Sequence, residues 1–168
     1  MSVRHRLLKW GLRHPSFFPP FVGAGIRVVT ADPGGGIYRV RMKLSFYNRN
    51  ALGTHFGGSL YAMCDPFLAL ILIYQLGPDY AVWDKTSTIE FRRPGRGTVS
   101  ATFEIPPEKI GEIRAAADAG EVVEPVFEVR VIDESGDTVA RVTKTIHVSH
   151  KTLRSREPTR TRDEGRGT

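Results

Sequence analysis

Residues 57–77 constrain this chain more than any other stretch. Leu60-Tyr61-Ala62-Met63 and the unbroken run of residues 67–74 leave almost no polar side chain between two glycines. Wound as a helix, the segment is apolar nearly all round, and a helix without a polar face has to be surrounded by other structure. It is about as long as the shortest membrane spans. It is interrupted, however, by Asp65 and Pro66, and a carboxylate in hydrocarbon is costly. The expectation is a core helix rather than a membrane segment.

The flanking sequence supplies what can surround it. In residues 37–46, Tyr38, Val40, Met42, Leu44 and Phe46 alternate with Arg39, Arg41, Lys43 and Ser45, the period-two pattern of an antiparallel strand packed on one side. Asp32-Pro33-Gly34-Gly35-Gly36 sets this run off from 25–31. Pro94-Gly95-Arg96-Gly97 separates 85–93 from 98–105, and Asp133-Glu134-Ser135-Gly136-Asp137 separates 124–132 from 138–149. Six strands in three hairpin-like pairs are expected. Residues 108–119, entered through Pro106-Pro107 and stopped by Gly120, place Ile110, Ile113 and Ala117 on one face and read as an amphipathic surface helix. The fold class is α+β, a curved antiparallel sheet wrapped around one long apolar helix. Residues 1–20 are expected to form a short helix and an extended Pro-rich arm, residues 21–150 the domain, and residues 151–168 a basic, disordered tail.

At 168 residues, 40% hydrophobic and 25% charged, the chain suits one core. Its single cysteine, Cys64, excludes a disulfide framework and any multi-cysteine metal site, and fits a reducing compartment. The formal charge of +6 belongs to the ends. Residues 1–21 hold Arg4, Arg6, Lys9 and Arg13 without an acid, residues 150–168 hold six basic against three acidic side chains, and residues 22–149 hold 14 against 15. Short basic ends read as solubilising tails, so no nucleic-acid partner is expected. The apolar stretches of the N-terminus are broken by Lys9, Arg13 and several prolines, which is not the apolar region of a secretory signal. A cytoplasmic location, without membrane association, is expected.

The chemistry concentrates in residues 50–65. Gly57-Gly58 at the mouth of the apolar helix would let a ligand approach bare N–H groups at the positive end of the helix dipole. Asp65 is the only charge between Arg49 and Asp79, and such a carboxylate should have a raised pKa or a functional partner. Asp65-Pro66 also reads as an N-cap followed by the first position of a helix over 66–77, or as a kink. Asn50 and His55 add polar groups just ahead of the helix. Arg92, Arg93 and Arg96 surround a Pro-Gly turn and suit phosphate groups, or else form a solvated hairpin tip. Cys64 reads as a small core residue and Trp83 as packing or interface. His147 and His150 have no companions suited to a metal.

The Asn50, Gly53, Gly57, Gly58 and Asp65 register resembles that of the hotdog-fold acyl-CoA thioesterases of the 4-hydroxybenzoyl-CoA and phenylacetyl-CoA thioesterase type. Pro19-Pro20-Phe21, Val82-Trp83-Asp84-Lys85 and Phe91-Arg92-Arg93-Pro94-Gly95-Arg96-Gly97 are similar to a largely uncharacterised bacterial branch described as tetrameric acyl-CoA thioesterases. The resemblance spans roughly residues 18–149. It implies a hotdog fold and hydrolysis of an acyl-CoA thioester without a cofactor or metal. Asp65 would be the general base or the nucleophile, the N–H of Gly57 or Gly58 the oxyanion donor, and Asn50 the group that orients water or carbonyl. Asp84 or Thr86 would enter the site from a partner subunit, and Arg92, Arg93 and Arg96 would meet the phosphates of coenzyme A. The family's histidine directly before Gly-Gly is Phe56 here, with His55 one position earlier, so His55 stands equally as a site residue or a hydrogen-bonded turn histidine. A homodimer, with two dimers forming a tetramer, is expected. The rival readings are an acyl-thioester hydratase or dehydratase, and a non-catalytic acyl-CoA-binding module.

Overall fold

The computed structural model describes Ser16 and residues 18–154. Most of the short helix and extended Pro-rich arm expected over residues 1–20, and the tail beyond 154, lie outside the described residues; where the arm is described, Pro19 and Pro20 are helical and not extended. A short helix α1 (Pro19–Ala24) starts on Pro19 and Pro20, which are pre-set for a first helical turn, and ends at Gly25 with φ +70°. Strands β1 (Ile26–Asp32) and β2 (Ile37–Lys43) form the first hairpin. The apolar helix follows as two pieces, α2 (Gly57–Ala62) and α3 (Phe67–Leu76). Then come β3 (Tyr80–Phe91), β4 (Thr98–Glu104), α4 (Pro107–Asp118), β5 (Val126–Ile132), β6 (Thr138–His150) and a last turn α5 (Lys151–Arg154).

All six strands join one antiparallel sheet in the order β1-β2-β4-β5-β6-β3. Alternation decides which face holds the core. Tyr38, Val40 and Met42 of β2, Val99, Ala101 and Phe103 of β4, and Val142, Ile146 and Val148 of β6 are buried. Against them lies α3, whose Phe67 ring sits 4.8 Å from Phe103 and 5.1 Å from Tyr38. By length and composition alone Gly57–Leu76 could cross a membrane; here the sheet wraps it as the core helix of a hotdog fold.

Two sequence expectations differ from the structure. The strand expected over 37–46 ends at Lys43 because Ser45 and Asn48 close a capping box around the turn Phe46–Asn48. The Asn48 side chain donates to the carbonyls of Ala24 and Lys43, and turn chemistry overrides alternation. The strands on either side of Pro94–Gly97 do not form a hairpin. β3 lies at the sheet edge beside β6, while β4 lies between β2 and β5. The N–H groups of Arg92 and Arg93 bond the Val139 carbonyl, whereas the carbonyls of Gly95 and Gly97 accept from His55 and Leu44. The connection is thereby drawn across the sheet instead of folding back.

Candidate active site

Asn50 organises the approach to α2. Its Oδ1 accepts from the N–H groups of Leu52 and Thr54, and its Nδ2 donates to Thr54 Oγ1 and to the His55 carbonyl. His55 is buried. Its N–H bonds the Gly95 carbonyl and its Nε2 donates to the Gly97 carbonyl at 3.2 Å, so Nε2 carries the proton. Burial holds the imidazole below its ordinary pKa, with the bond to Gly97 opposing part of that shift. His55 thus fastens the 94–97 turn to the helix entrance.

The helical ladder starts with Ser59 N–H and Leu60 N–H, both bonded to the Phe56 carbonyl. The N–H groups of Gly57 and Gly58 precede it and have no acceptor among the described residues, as in any first helical turn. Gly57 is packed tightly, since a Cβ there would lie 2.8 Å from Cζ of Phe91. Asn50, Thr54, His55, Gly57, Phe91 and Arg92 line an open cleft of about 440 Å³, which Arg93 also borders. Arg92 pairs with Glu90 at 2.6 Å and Arg93 with Asp137. Arg96 is exposed and does not line the cleft.

Asp65 sits where the long helix breaks. Pro66 has no N–H to offer the Ala62 carbonyl, and Asp65 N–H takes that carbonyl at 3.3 Å in a tighter turn. α3 begins without a side-chain cap, so of the two readings of Asp65-Pro66 the structure shows the kink and not the N-cap. The Asp65 carboxylate is 53% exposed, not enclosed as the apolar run suggested. It has a cationic neighbour. Lys144 Nζ donates to the Asp65 peptide carbonyl and approaches Asp65 Oδ1 at 3.5 Å. The same ammonium bonds Asp84 Oδ2 at 2.9 Å.

Asp84 reaches that point because of a β-bulge. The register between β3 and β6 shifts between Asp84 and Thr86, so Lys85 is the extra residue. Asp84 pairs with Ile146 before the bulge, and Ser87 pairs with Lys144 after it. Both therefore face the helix, although three positions apart on a regular strand would put them on opposite faces. Thr86, the alternative to Asp84, pairs with Thr145 on the other face. Asp84 Oδ1 and Ser87 Oγ are buried without a hydrogen-bond partner.

Lys144 is the residue that sequence reasoning missed. Its signal was legible: Val142, Lys144, Ile146 and Val148 alternate on the inward face of one strand, and a lysine in that row needs anionic company. The structure thus gathers Asp65 with Asp84, and separately Asn50, His55 and Gly57 with Arg92 and Arg93. Cys64 is fully buried in the core, and burial pushes its thiol up to about 12. Trp83 stacks on His147 at 3.7 Å on the outer face. Among the described residues no group of His, Cys, Asp and Glu side chains is arranged to hold a metal ion.

A family model described as a domain of unknown function, DUF4442, matches residues 5–148. The chain belongs to the DUF4442 family. No curated protein sequence matches it. Solved structures share the fold of this DUF4442 chain. A protein of unknown function from Pseudomonas aeruginosa, PA5026, described as a probable thioesterase, is 23% identical, with a TM-score of 0.70 over 89% of this chain and 98% of that one. The Escherichia coli PaaI protein from the phenylacetic acid degradation operon is 21% identical, with a TM-score of 0.56 over 87% and 95%. The thioesterase HI1161 from Haemophilus influenzae is 13% identical, with a TM-score of 0.57 over 90% and 93%. At these identities the likeness establishes the architecture alone: this DUF4442 protein has the hotdog fold.

Proposed function

We propose that this DUF4442 protein is an acyl-CoA thioesterase that hydrolyses its substrate to a free acid and coenzyme A. The observation that carries the reading is the Asp65 carboxylate, anchored at the helix break by Lys144 yet 53% exposed, which is the accessibility a water-activating base needs. Asp65 removes a proton from water as the oxygen attacks the thioester carbonyl. The developing oxyanion is received by the open N–H of Gly57 or Gly58. The carbon–sulfur bond then breaks and the thiolate leaves as coenzyme A. Arg92 and Arg93 at the cleft rim face the phosphates of the nucleotide end.

Gly57 opens α2 and Asp65 lies in the break beyond it; eight residues apart, about 12 Å if the helical rise held throughout, they are too far apart to act on one carbonyl. The site is therefore completed by a second copy. Strand β3 runs twelve residues along the sheet edge with β6 on only one flank, and an open edge of that length is a template for pairing. The reading includes a homodimer through this edge, with dimers associating into a tetramer in the cytoplasm. The test is thiol release by the purified protein across a panel of acyl-CoAs, alongside Asp65→Asn. The variant is expected to lose about 100-fold or more in kcat. Equal activity refutes the role of Asp65, and binding without thiol release makes the protein a binding module. Sedimentation is expected to show a dimer or tetramer; an active monomer refutes the shared site.

A further inference from the structure

We propose that Lys144 is a positioning residue that aims the Asp65 carboxylate by gripping the peptide carbonyl at the helix break while Asp84 balances its charge. The inference rests on the thioesterase reading above.

Lys144 is 0% exposed, and a buried ammonium persists only where its charge and its donors are met. Its acceptors come from two other elements: the Asp65 carbonyl and Oδ1 at the helix break, and Asp84 Oδ2 on β3. They are not equivalent. Asp84 is the close anionic partner at 2.9 Å, and Asp65 Oδ1 is the looser one at 3.5 Å. Lys144 and Asp84 therefore form the close pair, and the Asp65 carboxylate remains turned toward solvent.

The carbonyl contact explains what the lysine does. In a continuous helix the Asp65 carbonyl would accept from Ala69, but α3 restarts with Leu70 N–H on the Pro66 carbonyl. The break leaves the Asp65 carbonyl without a helical donor, and Lys144 supplies one from across the core. A peptide plane fixed there fixes the direction of the Asp65 side chain. Among the described residues the other groups facing Lys144 add no charge. They are Ser87 on β3, Phe127 on β5, Val142 and Ile146 on β6, and the neutral Cys64 thiol on the helix.

The test compares Lys144→Gln/Asp84→Asn with Asp84→Asn alone, measuring thermal unfolding, kcat, KM and the pH profile. The double variant removes both charges, and the Gln side chain, one atom shorter than that of lysine, falls short of the Asp65 carbonyl. It is expected to fold, to hold KM within about threefold, and to lose about 100-fold in kcat as the base loses its aim. Asp84→Asn alone leaves the ammonium uncompensated against Asp65 and moves the acid limb of kcat to lower pH, a change that a purely structural lysine would not produce. An active wild type matched in kcat by the double variant, or an acid limb unmoved in Asp84→Asn, overturns the role of Lys144 alone. A wild type that releases thiol from no acyl-CoA overturns the thioesterase reading and this role with it. If the double variant does not fold, the acid limb of Asp84→Asn decides.

Discussion

Replacing Lys144 with methionine tests the energetics of the buried cluster independently of any activity. Methionine keeps the unbranched stem and fits the row between Val142 and Ile146, so the perturbation is the loss of charge and donors. Taking one partner from a buried ion pair costs about 3–5 kcal/mol. Asp84 retains 27% of its side-chain surface in solvent, so water can recover part of the loss and the lower end, about 3 kcal/mol, applies. The orphaned Asp65 carbonyl adds about 1 kcal/mol, and the extra apolar burial of the methionine returns a similar amount. The net is about 3 kcal/mol, which in a chain of this size lowers the unfolding midpoint by about 6–12 °C. Lys144→Met/Asp84→Asn should recover to within about 1 kcal/mol of wild type, because a neutral, well-packed site replaces a broken pair. Urea unfolding at one fixed protein concentration, followed by tryptophan fluorescence, measures all four corners of the cycle. A cost below about 1 kcal/mol for Lys144→Met, or a double variant as unstable as the sum of the singles, refutes the reasoning.

The helix mouth, the buried histidine and the buried thiol each give a further check. Gly57→Ala would push the Phe91 ring, 2.8 Å from the new Cβ, into the cleft that both residues line; thiol release should fall about tenfold and recover when Phe91→Ala is added. The folded state holds His55 below its ordinary pKa. Its contribution to stability is therefore fully present above about pH 6.5 and is lost as pH falls toward the folded value. His55→Gln should flatten that acid-side slope in urea titrations, and an unchanged slope refutes the assignment. Cys64, buried with its thiol near 12, should ignore a disulfide reagent at pH 8 until the protein is unfolded; rapid labelling of the native protein would contradict its place in the core.

Much of this architecture was legible because periodicity reports burial directly. The alternating run around Tyr38–Met42 and the all-round apolar run of residues 67–74 could hardly be anything but a one-faced strand and an enclosed helix. Pairing order was not legible, since Pro94–Gly97 looks locally like a hairpin turn, and only its distant bonds to Leu44, His55 and Val139 carry the chain across the sheet. The site was half visible. Asn50, Gly57 and Asp65 stood out by spacing, whereas Lys144 was overlooked because a charged residue within an alternating strand is easily assigned to the wet face. The cap and the kink of Asp65-Pro66 read alike locally, and the lysine that meets the Asp65 carbonyl at the kink lies 79 positions away.

The bulge at Lys85 makes strand length itself a functional parameter. Deleting that one residue would restore regular parity to the edge strand and turn either the segment holding Asp84 or the segment holding Ser87, Ile89 and Phe91 inside out. In the first case Lys144 would lose its close counter-ion and keep only the looser Asp65 carboxylate, and in the second the ring that roofs Gly57 would be lost from the cleft. Substitutions along this strand can be absorbed one at a time. A single insertion or deletion shifts the molecule's frame, so sequences that keep this site should vary in which residue occupies position 85 while conserving that a residue is there.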